Sequence, residues 1–188
     1  MRIRESGMPD ESHWEELLDI PAILSSLRIE QLHDVLELGC GYGTFTIPIA
    51  DTISGTLYTF DIDPTMVERT KVRAGNRKNI VYEVRDVTDH GFGVKADAVL
   101  LFNILHCERP IELLRHATNA LTGSGRVYVI HWRYGETPRG PSLDIRPTPS
   151  QLISWGAQAG LVPLGDVIVL PMWHYGLILQ PRELKASK

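Results

Sequence analysis

The sequence predicts an α/β fold, a three-layer sandwich on a mostly parallel, doubly wound sheet. Two observations carry this. Between residues 35 and 131, short apolar runs alternate with amphipathic segments five times, with no internal repeat. A glycine-rich turn, Gly39-Cys40-Gly41-Tyr42-Gly43, joins the first run to the first amphipathic segment, and Asp61 ends the second run eighteen residues past Gly43. That is the order of a nucleotide-type site on such a sheet.

In chain order, residues 1–11 read as loosely attached. Ser12 to Glu15 fits a capping box opening a short helix with Trp14, Leu17 and Leu18 on one side, and Pro21 kinks or restarts it before Ile23, Leu24 and Leu27. This segment either covers the cleft or packs as an extra helix. Strand 35–38 leads to a helix over 45–52, and strand 57–60 to a helix over 64–74 that opens on Asp63-Pro64, an Asp cap with proline at the first helical position. Strand 80–84 is followed by a polar link holding Asp86, Asp89 and His90. Strand 98–102 runs through Asn103 and His106 into a helix near 109–121, with Leu113, Leu114, Ala117 and Leu121 on its core face. Gly123-Ser124-Gly125 turns the chain into strand 126–131. The Gly/Pro-rich stretch 134–147 is long for a connector and suggests a lid or substrate loop. Thr148-Pro149-x-Gln151 starts another helix, and two apolar strands, 161–170 and 173–180, close the sheet edge as a hairpin around Pro171.

At 188 residues the chain reads as a single domain, 1–188, with 1–30 as an N-terminal helical extension or cap. A net charge of -4 argues against a strongly basic nucleic-acid surface, and the cluster Lys71, Arg73, Arg77 and Lys78 suits a solvated helix end. Two cysteines, Cys40 and Cys107, form no disulfide framework or CxxC pair, which fits a reducing, cytoplasmic setting. No apolar targeting segment or run approaching a membrane span is present, and the histidines lack a compact metal-ligand spacing, so no metal is expected.

The site begins at Glu37, a carboxylate near the end of an otherwise apolar strand. It repels pyrophosphate and suits an ammonium or a backbone donor near a zwitterionic ligand. Neither GxxxxGK[ST] nor GxGxxG occurs; the spacing is Gly39-x-Gly41-x-Gly43. Asp61 is placed to accept from ribose hydroxyls, Asp86 from an exocyclic amine, and Ile62 and Val87 to clamp a purine face. A turn-forming role for Asp86 is the alternative.

Together, Glu37-Leu38-Gly39-Cys40-Gly41-Tyr42-Gly43, Phe60-Asp61-Ile62-Asp63-Pro64, Arg85-Asp86-Val87, Asp97-Ala98-Val99-Leu100, Phe102-Asn103-Ile104-Leu105-His106 and Leu121-Thr122-Gly123-Ser124-Gly125-Arg126-Val127 resemble the class I S-adenosylmethionine-dependent methyltransferases. The resemblance implies a Rossmann-like, seven-stranded sheet whose last strand is antiparallel, in one methyltransferase-like domain. It implies S-adenosyl-L-methionine as cofactor and S-adenosyl-L-homocysteine as product. The glycine loop, including Cys40 and Tyr42, would wrap the methionyl part, Asp61 the ribose and Asp86 the adenine amine, with Asn103 and Ile104 beside the substrate entrance.

The sulfonium already activates the methyl group, so the protein must align donor and nucleophile, with a base needed only for a protonated acceptor. His106 and His131 are the candidate catalytic residues, and Trp132, Arg133 and Arg146 the candidate acceptor-binding ones. Tyr42 either shapes the cofactor entrance or packs on the N-terminal helix; Trp14, Trp173 and His174 either bound the pocket or pack. Neither an Asn/Asp-Pro-Pro-Tyr motif nor a Pro-Cys pair appears. The expectation is methyl transfer to an O, N, S or C nucleophile of a small molecule, with no strong nucleic-acid signal and either a monomer or a homodimer. Methylation of RNA or protein, and a non-catalytic cofactor-binding regulator or assembly subunit, are the alternatives.

Overall fold

The computed structural model describes residues 10–183; the loosely attached segment read at 1–11 therefore lies mostly outside the described residues. Short helices α1 (Glu11–Glu16) and α2 (Ile20–Ser26) lead through a 3-10 turn (Ile29–Gln31) to β1 (Val35–Leu38). There follow α3 (Thr46–Thr52), β2 (Leu57–Asp61), α4 (Pro64–Ala74), β3 (Ile80–Val84), α5 (Val87–His90), β4 (Ala96–Phe102), α6 (Pro110–Asn119), β5 (Leu121–Trp132), α7 (Pro149–Gln158), β6 (Leu161–Pro163), β7 (Ile168–Val169) and β8 (His174–Pro181).

The sheet order is β3-β2-β1-β4-β5-β8-β6, with β7 also paired to β8. Strands β1 to β5 pair in parallel, whereas β8 runs antiparallel to β5, β6 and β7. The chain winds outward from β1 in both directions, so β1 and β4 flank the point where strand order reverses, and their C-terminal ends open the cleft where such sheets bind ligands.

Alternate residues of β1 feed two apolar layers. Leu36 and Leu38 pack with Leu113, Leu114 and Ala117 of α6 and Leu152 of α7. Val35 packs with Leu24 and Leu27 from the α2 region and Ile49 of α3. Helix α2 is thus a core element, while α1 reaches toward the glycine loop. No helix among the described residues is long and apolar enough to cross a membrane.

Four expectations need correction. Asp10, not Ser12, caps α1, its carboxylate accepting from the His13 amide at 3.1 Å, with Ser12 bonded to the same oxygen. The polar link after β3 contains the one-turn helix α5, capped by Asp86. Leu121 leaves the helix and opens β5, because it pairs with Ala96; the pairing then jumps to Ala98 and Arg126, so 122–125 bulge inside the strand. A side chain at Gly125 would collide with the carbonyl oxygens of Thr122 and Asp97, at 2.8 and 2.9 Å. Finally, the run 161–170 breaks at Gly165, whose φ of +84° separates β6 from β7, and β8 inserts between β5 and β6.

Candidate functional site

The glycine loop leaves the end of β1 with Gly39, Gly41 and Gly43 all in the left-handed region, at φ +85°, +52° and +80°. Side chains there would be strained by the backbone alone. A Cβ on Gly39 would also lie 3.3 Å from Ile104 Cδ1, and one on Gly43 3.1 Å from the Thr70 methyl. Asp61, ending the neighbouring β2, accepts from the Gly41 amide at 3.1 Å and from the Asp63 amide at 3.0 Å, one on each oxygen. Thr70 and Arg73 of α4 donate to the Gly41 and Tyr42 carbonyls, at 2.8 and 3.1 Å. The loop is therefore held from both sides. Cys40 is buried 3.8 Å from Asp61, and burial with the nearby carboxylates pushes its thiol well above the usual range. The Tyr42 ring lies under the Arg69 guanidinium, 4.4 Å from its centroid.

Glu37 sits beneath this loop, not within it. It is 3 % exposed, and one oxygen accepts from Thr46 of α3 and Thr59 of β2, both at 2.7 Å. Burial pushes its carboxyl up to about 7 against the pull of those hydroxyls. Its geometry braces β1, β2 and the start of α3.

At the far end of β2, Ile62 is 47 % exposed, whereas Val87 is 1 % exposed and packs among core residues with Phe60 and Phe92. Of the two side chains expected to clamp a purine, the structure offers Ile62 to a ligand and commits Val87 to the core. Asp86 accepts from the Thr88 amide at 3.0 Å as the α5 cap.

The opposite bank is the end of β4. Asn103 adopts φ +54°, a left-handed conformation Asn tolerates better than most residues. Its amide lies 3.3 Å from His174 Nε2 on β8, and its buried Oδ1 has no hydrogen-bond partner. Ile104 is buried against the glycine loop. His106 Nδ1 and His131 Nε2 are 3.3 Å apart, so the two candidate catalytic histidines do meet, His131 lying fully buried behind His106. Burial holds His131 well below the usual imidazole range, and burial with nearby Arg146 holds His174 down to about 3.

The candidate acceptor residues separate. Trp132 is buried between Trp14 and His174, with ring centroids 6.2 and 4.2 Å away. Arg133 is exposed and lies over Trp173. Arg146 is buried and donates to the carbonyl oxygens of Pro141, Arg133 and Gly135 and to the Thr137 hydroxyl, so its guanidinium ties the 133–147 loop together from inside. Glu11 and Glu15 of α1, paired with Arg69 and Arg73, have no counterpart in the sequence reading of the site. Acidic residues on one segment and basic ones some sixty positions on carry no local signal.

Residues 35–125 match a family model described as a methyltransferase domain. The fold matches that of a SAM-dependent methyltransferase from Aquifex aeolicus with a TM-score of 0.79, at 19% identity over 92% of this chain and 94% of that one. It also matches an O-methyltransferase from neocarzinostatin biosynthesis, solved with S-adenosyl-L-homocysteine and 1,4-dihydroxy-2-naphthoic acid. There the TM-score is 0.74 and the identity 19%, over 91% of this chain and 55% of that one. A third match is the N,N-8-amino-8-demethyl-D-riboflavin dimethyltransferase from Streptomyces davawensis, with a TM-score of 0.71 and 18% identity over 86% of this chain and 53% of that one. The chain thus spans about half the length of the latter two. Curated protein sequences gave no match.

Proposed function

We propose that this chain is a class I S-adenosylmethionine-dependent methyltransferase and that it transfers a methyl group from S-adenosylmethionine to an O, N, S or C nucleophile of a small molecule. The observation that carries the reading is the set of three left-handed glycines held against Asp61 at the reversal of strand order. The site fits the group: side chains at Gly39 and Gly43 would crowd Ile104 and Thr70, and the two Asp61 oxygens keep lone pairs beyond their one amide bond each. When bound, the cofactor supplies a methyl group already activated by its sulfonium. Gly39, Cys40, Gly41, Tyr42 and Gly43 would hold the methionyl part, Asp61 the ribose, and Ile62 with Asp86 the adenine. Asn103 and Ile104 border the acceptor side, and Glu37 braces the loop from below.

His106 takes the role of base or orienting group for an acceptor that arrives protonated. The small-molecule ligand of the neocarzinostatin enzyme and the flavin named for the Streptomyces one support an acceptor of that size. The buried thiols Cys40 and Cys107 suit a reducing cytoplasm.

Calorimetric titration of the cofactor-free protein tests this reading, with nicotinamide dinucleotide as comparison. Selective one-site binding of S-adenosylmethionine is expected, followed by product from a panel of small phenols, amines and thiols. Folded protein that prefers the dinucleotide, or binds neither, overturns it. Turnover on RNA or protein alone overturns the acceptor class.

A further inference from the structure

Two guanidinium groups of the 133–147 loop carry charge that no described residue neutralises. Arg146 is 6 % exposed, and its hydrogen bonds run to carbonyl oxygens and one hydroxyl, none to a carboxylate. A buried cation without an anion is a costly arrangement. Arg133 is the second. Its backbone is pinned at both ends, the amide donating to the Trp173 carbonyl at 2.9 Å and the carbonyl accepting from Arg146 at 3.2 Å. Its guanidinium lies over the Trp173 ring, 4.8 Å from the centroid, and forms no ion pair among the described residues. Stacking covers one face of the guanidinium and leaves the in-plane N–H groups free, the geometry that grips a carboxylate with two parallel bonds.

Register places this cation relative to the cleft. Strands β5 and β8 pair His131 with Tyr175 and Trp132 with His174. Side chains alternate between faces, so Arg133 and Trp173 continue the face of His131 and Tyr175. His131 Nε2 is 3.3 Å from His106 Nδ1, and His106 is the group proposed to meet the methyl acceptor. Arg133 lies two residues on from His131, about 7 Å along the strand. One six-membered ring fills such a span between a ring hydroxyl or amine and a carboxylate.

We propose that Arg133, stacked on Trp173, is a specificity-determining residue for an acceptor that carries a carboxylate about one ring away from its nucleophile. The fate of that ligand rests on the methyl-transfer reading; its recognition by charge does not. Arg133 makes two parallel hydrogen bonds to the carboxylate, and Trp173 is a positioning residue that keeps the fork flat. The bound carboxylate also offsets the buried charge of Arg146, so the site prefers the acid to a neutral analogue of the same shape.

The test is calorimetric titration of the full chain, with S-adenosyl-L-homocysteine and again without it. The probes are hydroxybenzoates, aminobenzoates and hydroxynaphthoates, each against its primary amide. The acids should bind about tenfold to a hundredfold more tightly than the amides, and Arg133→Gln should erase the difference. Arg133→Lys should keep part of it, because an ammonium holds the charge and loses the fork. Trp173→Ala should weaken binding of the acids, and Trp173→Phe should restore it. Arg133 is exposed, so Arg133→Gln should keep the fold, read by circular dichroism; should it not fold, the wild-type comparison of acid with amide decides alone. Acids and amides that bind alike, or no binding of either, overturn the proposal, as does a preference that survives Arg133→Gln. Tighter binding of phenyl phosphate than of the benzoates overturns the carboxylate class. With S-adenosylmethionine present, Arg133→Gln should raise KM for the favoured acid by about tenfold or more and leave kcat little changed. Arg133-dependent binding of acids without methylated product would sink the methyl-transfer reading and leave the anion site. Methylation of neutral acceptors in preference to acids would do the reverse.

Discussion

Arg73 on α4 donates to the backbone carbonyl of Tyr42 at 3.1 Å, and the same guanidinium pairs with Glu11 and Glu15 of α1. Trp14, on the same short helix, meets Trp132 at the end of β5. Helix α1 is therefore fastened to α4, whose Arg73 also holds the glycine loop, and to the end of β5 through an aromatic edge.

If that fastening governs access, Glu11→Gln combined with Glu15→Gln should speed cofactor release. The pairs are partly solvent-exposed, so each contributes at most about 1 kcal/mol and folding stability should change little. Stopped-flow dissociation should quicken by about fivefold, and added salt should quicken the wild type in the same direction. Equal release rates in the two proteins would detach α1 from cofactor access.

Asp61→Ala should weaken cofactor binding while the fold, read by circular dichroism, is kept. The carboxylate accepts the Gly41 amide as well as being available to the ribose, so its loss relaxes the loop and removes ligand bonds together. Hydrogen bonds to charged groups contribute about 1.5–3 kcal/mol, which predicts a loss of roughly tenfold to a hundredfold in affinity. Unchanged affinity by calorimetry would remove Asp61 from the site.

The parts legible in the sequence are those whose signals are local. Asp63-Pro64 starts α4 where its cap and fixed proline φ dictate, and Thr148 with Gln151 closes the capping box of α7. The glycine loop is readable because φ above zero selects glycine at 39, 41 and 43. What was not legible is that Glu37, read as part of the cofactor site, bonds Thr46 and Thr59 on two other elements. That bracing depends on register across β1 and β2, which no single segment encodes. Asn103 and His174 meet across 71 positions for the same reason, as β8 inserts beside β5.

The buried groups predict how stability depends on pH. Glu37 is raised from 4.5 to about 7, so its favourable contribution is full below the unfolded value and is lost as pH rises through about 7. His131 and His174 are lowered from 6.5, so their contributions are full above that value and are lost as pH falls. Between those unfolded values the unfolded chain binds two histidine protons while the folded chain keeps one on Glu37. The three groups together give a net slope of about one proton, or about 1.4 kcal/mol per pH unit, with stability rising with pH. Glu37→Gln should steepen that slope toward about two protons, measured by urea unfolding from about pH 5 to 6.5. A slope that does not steepen would mean that Glu37 is already ionised in the folded protein.

Arg146 distinguishes a structural role from an acceptor-binding one. Its nitrogens reach the Pro141 carbonyl at 2.9 and 2.6 Å, those of Arg133 and Gly135 at 3.2 and 3.0 Å, and the Thr137 hydroxyl at 2.8 Å. A Cβ on Gly140 would sit 2.9 Å from both the guanidinium and the Trp132 ring, so the loop is wound tightly around that head group. Removing it strands several carbonyls, each costing about 1–3 kcal/mol where water cannot reach. Arg146→Ala should therefore destabilise the fold by roughly 3 kcal/mol or more and open 133–147 to proteolysis. Arg146→Lys should fail to rescue it, because one ammonium cannot reproduce a planar fork on that many acceptors. Unchanged stability with a raised KM for an anionic acceptor would instead give Arg146 the substrate contact that its place in the sequence suggests.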